Sequence, residues 1–147
     1  MRSGRRGFSL IELMIVVMII ALLAAIVIPK FTNASDSSRD ASVKTSLKFV
    51  RGQIELFKSQ HSEIPPQEGA LWGLLQNASS STETNTASPT GAGCGPYLKG
   101  TPLNAWNGLT PVSSLATDTT AGWYYTATSS SYEFRIRNAD GSVNTDY

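Results

Sequence analysis

The sequence predicts an α+β protein: a long N-terminal α-helix, with a membrane half and an amphipathic half, packed on a small antiparallel β-sheet. Three patterns support this fold class. An almost uninterrupted aliphatic run covers 8–28, apolar residues recur at helical spacing over 43–57, and apolar and polar residues alternate over 132–137. The net charge of +1, from 12 basic and 11 acidic residues, gives no overall field that favours nucleic acid as a direct partner.

The aliphatic run is long enough to cross a membrane. At about 1.5 Å per residue, a helix over 8–28 reaches roughly 30 Å, the thickness of a bilayer's hydrocarbon core. A cleaved secretory signal, cut after Ala25, is the alternative, but its apolar core would be unusually long and would contain a carboxylate. Three arginines precede the run: Arg2, Arg5 and Arg6. They favour a cytoplasmic N-terminus, although basic residues also follow the run at greater distance.

Glu12 is the anomaly in this run. A carboxylate inside a spanning helix costs on the order of 2.5–3.5 kcal/mol, so such a residue usually has a partner. Arg5 and Arg6 are near only while the leader is attached, and a cut before Phe8 would create a new amine as the obvious cation. The alternative is that Glu12 lies near the interface and extends into the headgroups.

The segment RRGFSLIELM (residues 5–14) resembles the processing site of type IV prepilins and type II secretion pseudopilins. The resemblance implies that a membrane peptidase cuts between Gly7 and Phe8 and methylates the new amine of Phe8. It also implies that Glu12 pairs with the amine of a neighbouring subunit during assembly. Residues 1–7 are then a prepilin leader, and 8–28 form the transmembrane helix and filament core.

Pro29 ends the aliphatic run and matches the helix-kinking proline of that family. It lacks a backbone donor and crowds the preceding turn, so we expect a kink there. An amphipathic continuation is predicted over 29–61, so that one helix extends from about Phe8 to Gln60. Its apolar stripe, which gives a head domain something to pack against, steps by three and four residues through Val43, Leu47, Val50, Ile54 and Phe57.

Residues 62–147 are predicted to form the head. A short helix is expected over 70–75 and a long, polar loop over about 77–95. Two strands, 123–127 and 132–137, form a C-terminal hairpin in which Arg137 belongs to the polar face. Because a lone hairpin is marginal, a third strand is expected around 109–115.

The sequence offers little for catalysis, and the chain is predicted not to be an enzyme. The single cysteine, Cys94, lies between glycines, and the single histidine, His61, is predicted to be an exposed helix-end residue. A nucleophilic pair of these two has no further support. The motifs of phosphate loops, paired metal ligands and serine hydrolases are missing.

A second segment, 95–108, resembles part of the major pseudopilin of type II secretion, through GPYL and a following turn with Trp106. In that protein an acidic C-terminal loop binds calcium. Here the possible oxygen donors are Asn138, Asp140 and Asp146, but the family's consecutive aspartates are missing and calcium wants six to eight oxygens. A turn over 138–141 is the favoured alternative, and no cofactor or metal is predicted, with calcium left open.

The resemblance implies a structural subunit of a type II secretion pseudopilus. The alternative is a type IV pilin of a surface filament for adhesion, motility or DNA uptake; an anchored binding module would not need Glu12. The implied partners are other copies of the chain, a prepilin peptidase and methyltransferase, an inner-membrane assembly platform with other pseudopilins, and membrane lipid. The implied location is the bacterial inner membrane, with one crossing and a periplasmic head, and then the filament.

Overall fold

A computed structural model describes residues 7–86 and 88–147. The chain divides into two compact units between Ser38 and Arg39. The predicted α+β fold class is confirmed: a long helix is followed by a short helical segment and a small three-stranded sheet. The elements are α1 (Leu10–Gln60), a 3-10 turn (Glu68–Ala70), α2 (Leu71–Gln76), β1 (Val112–Ser113), β2 (Trp123–Ala127) and β3 (Tyr132–Ile136).

In the first unit, α1 exposes its apolar side chains. The large aliphatic residues of 10–28 are all exposed, the least of them Val27 at 43%. The helix is continuous through position 29, and the kink at that position stays a prediction. The division into 8–28 and 29–61 also stays a prediction.

The apolar stripe of α1 is the core of the second unit, as predicted. All five of its residues, Val43 through Phe57 at three- and four-residue steps, are 2% exposed or less. They form one cluster with the leucines of α2 and with the inward-facing aromatic residues of β2 and β3. Burying each large side chain contributes roughly 1.5–3 kcal/mol relative to leaving it in water, so this stripe is the main apolar contribution of α1 to the head.

The sheet contains the predicted hairpin and third strand, but it is mixed rather than antiparallel throughout. β2 and β3 are antiparallel, with Tyr125 opposite Phe134. β1 instead pairs parallel to β2, with Val112 opposite Trp123. A parallel pair needs a connection that carries the chain back along the sheet, and residues 114–122 supply it. Period-two patterning gives the face of a strand but not its direction, so the sequence could not predict this pairing.

Arg137 corrects the predicted alternation of polar residues along the second hairpin strand. β3 ends at Ile136, and Arg137 is 0% exposed instead of lying on the polar face. The chain folds back at this point, since Arg137 pairs in a single antiparallel bridge with Val143. The returning segment covers the side chain that the alternation alone would leave in water.

Arg51 of α1 covers the free edge of β3, and the C-terminal Tyr147 is held against the same helix. Arg51 donates from Nε and Nη2 to the carbonyl oxygen of Phe134, at 3.1 and 2.7 Å. The Tyr147 hydroxyl donates to Asp40 at 2.6 Å, while Lys44 lies 2.7 Å from the same carboxylate. Lys44 and then Tyr147 lower the pKa of Asp40. The edge is thereby covered against pairing with another strand.

His61 is buried, so the prediction of an exposed helix-end residue was wrong. Its Nδ1 lies 2.8 Å from the carbonyl oxygen of Phe57, and its Nε2 lies 3.0 Å from the hydroxyl of Ser79. The imidazole stacks on the Phe57 ring at 3.6 Å between centroids. The reason is helical spacing: His61 follows Phe57 by four residues and therefore continues the buried stripe by one turn.

The long loop is present and is held at its base and middle. Ser79 and Cys94 exchange two backbone hydrogen bonds of 3.0 Å. The Glu83 carboxylate accepts from the backbone N–H groups of Ser80, Thr90 and Gly91 at 2.6, 3.0 and 3.0 Å. These donors, Ser80 first, lower the pKa of Glu83. A single carboxylate therefore organises a segment that has few apolar side chains of its own.

Candidate processing and assembly site

The bond between Gly7 and Phe8 lies in exposed, non-helical chain just before α1. Phe8 is 80% exposed, and a Cβ added to Gly7 would meet nothing within 4 Å. A protease must take its substrate out of regular hydrogen bonding, and nothing in the described residues would have to unfold here. The leader residues 1–6, with their arginines, lie outside the described residues.

The start of α1 is fixed by Ser9. Its carbonyl oxygen accepts from the backbone N–H groups of Glu12 and Leu13, at 3.1 and 3.3 Å. Ser9 and Glu12 have the spacing of a capping box, a local sequence signal for a helix start at this point. A carboxylate in the first turn also favours the positive end of the helix dipole, typically by 0.3–1 kcal/mol. Glu12 can therefore stabilise the helix start of its own chain.

Glu12 has no cationic partner within the described part of its own chain. The three ion pairs among residues 7–86 and 88–147 all belong to the second unit. Its neighbours along the helix, Ile11 and Leu13, are 65% and 62% exposed, so the carboxylate stands on an apolar surface. Such a charge in a membrane needs a partner from outside this part of the molecule, or water.

The apolar surface around Glu12 is too large to be left in water. By length and composition alone, the helix Leu10–Gln60 is the one helix among the described residues that could cross a membrane. Soluble monomers rarely expose contiguous apolar patches larger than a few hundred Å². Lipid or other helices are the environments that cover such a surface, and the Gly7–Phe8 bond lies just before its start.

The oxygen donors of the tail that left calcium open in the sequence do not form one ligand set. Asp140 accepts from the N–H and hydroxyl of Ser142 at 2.9 and 2.6 Å, which lowers the pKa of Asp140. Asn138 bonds to Ser142 and Asn144 at 2.9 and 2.8 Å, and Asp146 lines a different groove. Residues 138–141 form the turn that the sequence favoured.

These oxygens do not fit calcium, which wants six to eight of them around one point. Among residues 7–86 and 88–147, no group of three or more Asp, Glu, His or Cys side chains could hold a metal ion.

Cys94 and His61 do not form a nucleophilic pair. The Cys94 thiol lies 3.9 Å from the carbonyl oxygen of Gln60. Both ring nitrogens of His61 are occupied, by Phe57 and by Ser79. The described contacts therefore give no support to a nucleophilic role for Cys94 with His61.

These features define a class of protein: an α+β head built on the second half of a helix whose first half is apolar and exposed, behind a basic leader. Residues 2–28 match the family model of the prokaryotic N-terminal methylation motif, which includes Gly7, Phe8 and Glu12. The chain belongs to the family of type IV pilins and type II secretion pseudopilins.

Three relatives illustrate this membership. The chain is 27% identical to the type II secretion system core protein G of Pseudomonas aeruginosa over 71% of this chain and 70% of that protein. It is 32% identical to the type IV narrow pilus major component PilA5 of Thermus thermophilus, over 54% of this chain and 75% of that one. It is 58% identical to the type IV major pilin protein PilA of Myxococcus xanthus, over 50% of this chain and 37% of that protein. No solved structure gives a significant match.

Proposed function

We propose that this chain is a structural subunit of a type II secretion pseudopilus. It is made as an anchored precursor, cut between Gly7 and Phe8, methylated on the Phe8 amine and assembled into a filament. The observation that carries the proposal is Glu12, a carboxylate without a cationic partner among the described residues, on an exposed apolar helix directly behind an exposed Gly-Phe bond. Such a group is useful when a second chain brings the amine.

The resemblance at 95–108 and the several relatives named core protein G support the secretion assignment. The chain and those relatives match over about 70% of each, so the likeness includes part of the head. A scaffold subunit has no need of a catalytic centre, and the proposal assigns none.

A type IV pilin of a surface filament is the second candidate. The observation that favours it is the 58% identity to the Myxococcus xanthus pilin, far above the identity to the secretion proteins. That likeness spans 37% of the pilin's length, which leaves the rest of that protein unmatched. Complementation distinguishes the two candidates. The gene should restore secretion to a strain that lacks its major pseudopilin, and it should not restore surface pili to a strain that lacks its major pilin.

The anchored precursor would lie in the inner membrane with its leader in the cytoplasm and its head in the periplasm. The leader arginines favour this orientation by the positive-inside rule. The partners are then the prepilin peptidase and methyltransferase, the inner-membrane assembly platform, other pseudopilins and lipid. Nucleic acid is not a direct partner in this scheme.

Assembly would move the apolar helix from lipid into a bundle of neighbouring helices. Apolar surface stays out of water in both environments, so burial alone gives little bias between them. Pairing Glu12 with the Phe8 amine of a neighbour recovers part of the roughly 2.5–3.5 kcal/mol that an unpaired carboxylate costs in the membrane. The pair would also fix the axial position of one helix against the next.

Processing is tested by coexpression with a prepilin peptidase, followed by intact mass. We expect loss of residues 1–7 and addition of one methyl group to Phe8. Gly7→Leu should abolish the cut, whereas the matched leader change Gly4→Leu should leave it. An unprocessed wild-type chain would refute the assignment.

Assembly is tested with Glu12→Gln, which keeps size and hydrogen bonding but removes the charge. We expect normal membrane insertion and a filament yield reduced at least tenfold. The reason is that losing about 1.4 kcal/mol of pairing energy per subunit lowers the equilibrium constant for adding a subunit tenfold. Unchanged filaments would show that the pair is not what drives assembly.

A further inference from the structure

The head contains a buried guanidinium group whose function the filament assignment does not explain. Arg137 is 0% exposed, the only buried residue of the described chain that carries a permanent charge. Burial lowers the pKa of Arg137, and the negative charge of Asp118 opposes that shift. Burying such a charge costs several kcal/mol unless polar groups surround it.

Carbonyl oxygens from two separate segments surround this group. Nη1 donates to the carbonyl oxygens of Ala116 and Gly141, at 3.0 and 2.8 Å, and Nη2 donates to that of Leu115. Two of these oxygens belong to the connection that leads from β1 to β2, and the third belongs to the turn over 138–141. The guanidinium therefore bridges two loops that β2 and β3 separate along the chain.

Convergent backbone carbonyls and a nearby carboxylate are what a hard cation such as calcium takes as ligands. In this head, the cation that these carbonyl oxygens surround is the guanidinium group of Arg137. The tail oxygens that could have ligated a metal are occupied by Ser142 and Asn144 instead.

We propose that Arg137 is the resident cation of this head, and that its guanidinium, in place of a bound calcium ion, holds the 114–122 connection to the 138–141 turn. The planar fork presents two terminal nitrogens that together reach three carbonyl oxygens, whereas the ammonium of a lysine is a single nitrogen. The assignment concerns the head alone and does not depend on which filament the chain builds.

The first test uses the wild-type full-length protein in detergent and needs no variant. Amide hydrogen exchange over 114–122 and 138–144 is measured by mass spectrometry in excess calcium and in excess EDTA. We expect the same protection in both solutions. Protection that is lost in EDTA and regained with calcium would overturn the proposal.

The second test replaces the cation. In Arg137→Met three carbonyl oxygens lose their guanidinium donor, one of them, that of Gly141, in a buried hydrogen bond, and amide exchange in both segments should accelerate by roughly 5- to 100-fold. Arg137→Lys, which keeps the charge but not the fork, should give a smaller acceleration in the same two segments. The matched control is Arg135→Met, two residues earlier in β3, where a half-exposed arginine pairs with Glu133.

Arg135→Met should leave the exchange of both segments within about twofold of wild type, since exposed ion pairs contribute little. If Arg137→Met does not fold, the lysine variant and the calcium comparison decide the question. Equal exchange in Arg137→Lys and wild type would refute the role of the fork.

Discussion

Asn104 offers a sharp test of how the head is held together. It is 0% exposed and donates from Nδ2 to the carbonyl oxygens of Gly122 and Arg137, at 2.6 and 2.8 Å. Its Oδ1 accepts from the backbone N–H of Trp106 at 2.9 Å. Asn104→Asp changes almost no volume but turns the donor into an oxygen that faces two carbonyl oxygens.

Two buried acceptors then lose their donor, at about 1–3 kcal/mol each, so we expect a loss of about 2–6 kcal/mol at neutral pH. Burial and the facing carbonyls raise the pKa of the new carboxyl above its usual value near 4. The folded variant therefore binds a proton that the unfolded chain does not. Relative to wild type, its stability falls as the pH rises through the raised pKa and recovers in acid.

The assay is urea unfolding of the full chain in detergent, followed by tryptophan fluorescence, since Trp123 is fully buried beside this site. The matched control is Asn107→Asp, because half-buried Asn107 donates to a single carbonyl oxygen, that of Ala121, at 3.2 Å. Its loss should be smaller by at least half. Equal losses for the two variants, or a loss in Asn104→Asp that acid does not relieve, would refute the reasoning.

Two further predictions concern the stripe and the acid response of the head. Phe57→Ala should cost about 3–5 kcal/mol in the same urea assay, whereas Leu56→Ala, one residue away but 46% exposed, should cost less than about 1 kcal/mol; similar losses would contradict the assigned core. The pKa of Asp118 is lowered from 3.8 to about 2, chiefly by a hydrogen bond from Thr120, so its stabilising contribution is complete above about pH 5 and is lost between about pH 4 and 2. Asp118→Asn should therefore unfold with a weaker dependence on pH in that window than wild type, and an unchanged pH profile would argue against this contribution.

Local periodicity predicted most of the second unit. The stripe over 43–57, the hairpin and the approximate place of the third strand follow from spacings of three, four and two residues, which depend on neighbours along the chain. The proposed processing bond and the proposed role of Glu12 come from a motif that is contiguous in sequence, at residues 2–28.

The remainder depends on residues that meet only in three dimensions. The sequence pattern predicts that Arg137 is one more polar residue of a strand. In the structure the 138–144 segment folds back over this residue and buries it. The parallel direction of β1 depends on the path of the 114–122 connection. Among these three features, the burial of His61 alone could have been predicted from the sequence, because His61 continues the stripe that ends at Phe57.

The stripe on α1 also dictates the order of events when the chain is made. The bonds that tie the same helix to the rest of the head reach far downstream: the one from Arg51 to Phe134 spans 83 residues, and the one from Tyr147 to Asp40 spans 107. The apolar face of the helix thus emerges early and stays uncovered until the strands and tail have followed it. Contacts of such separation form slowly and expose apolar surface in the meantime. During synthesis, the apolar face of α1 therefore lacks the cover that residues such as Phe134 provide once the whole head has been made.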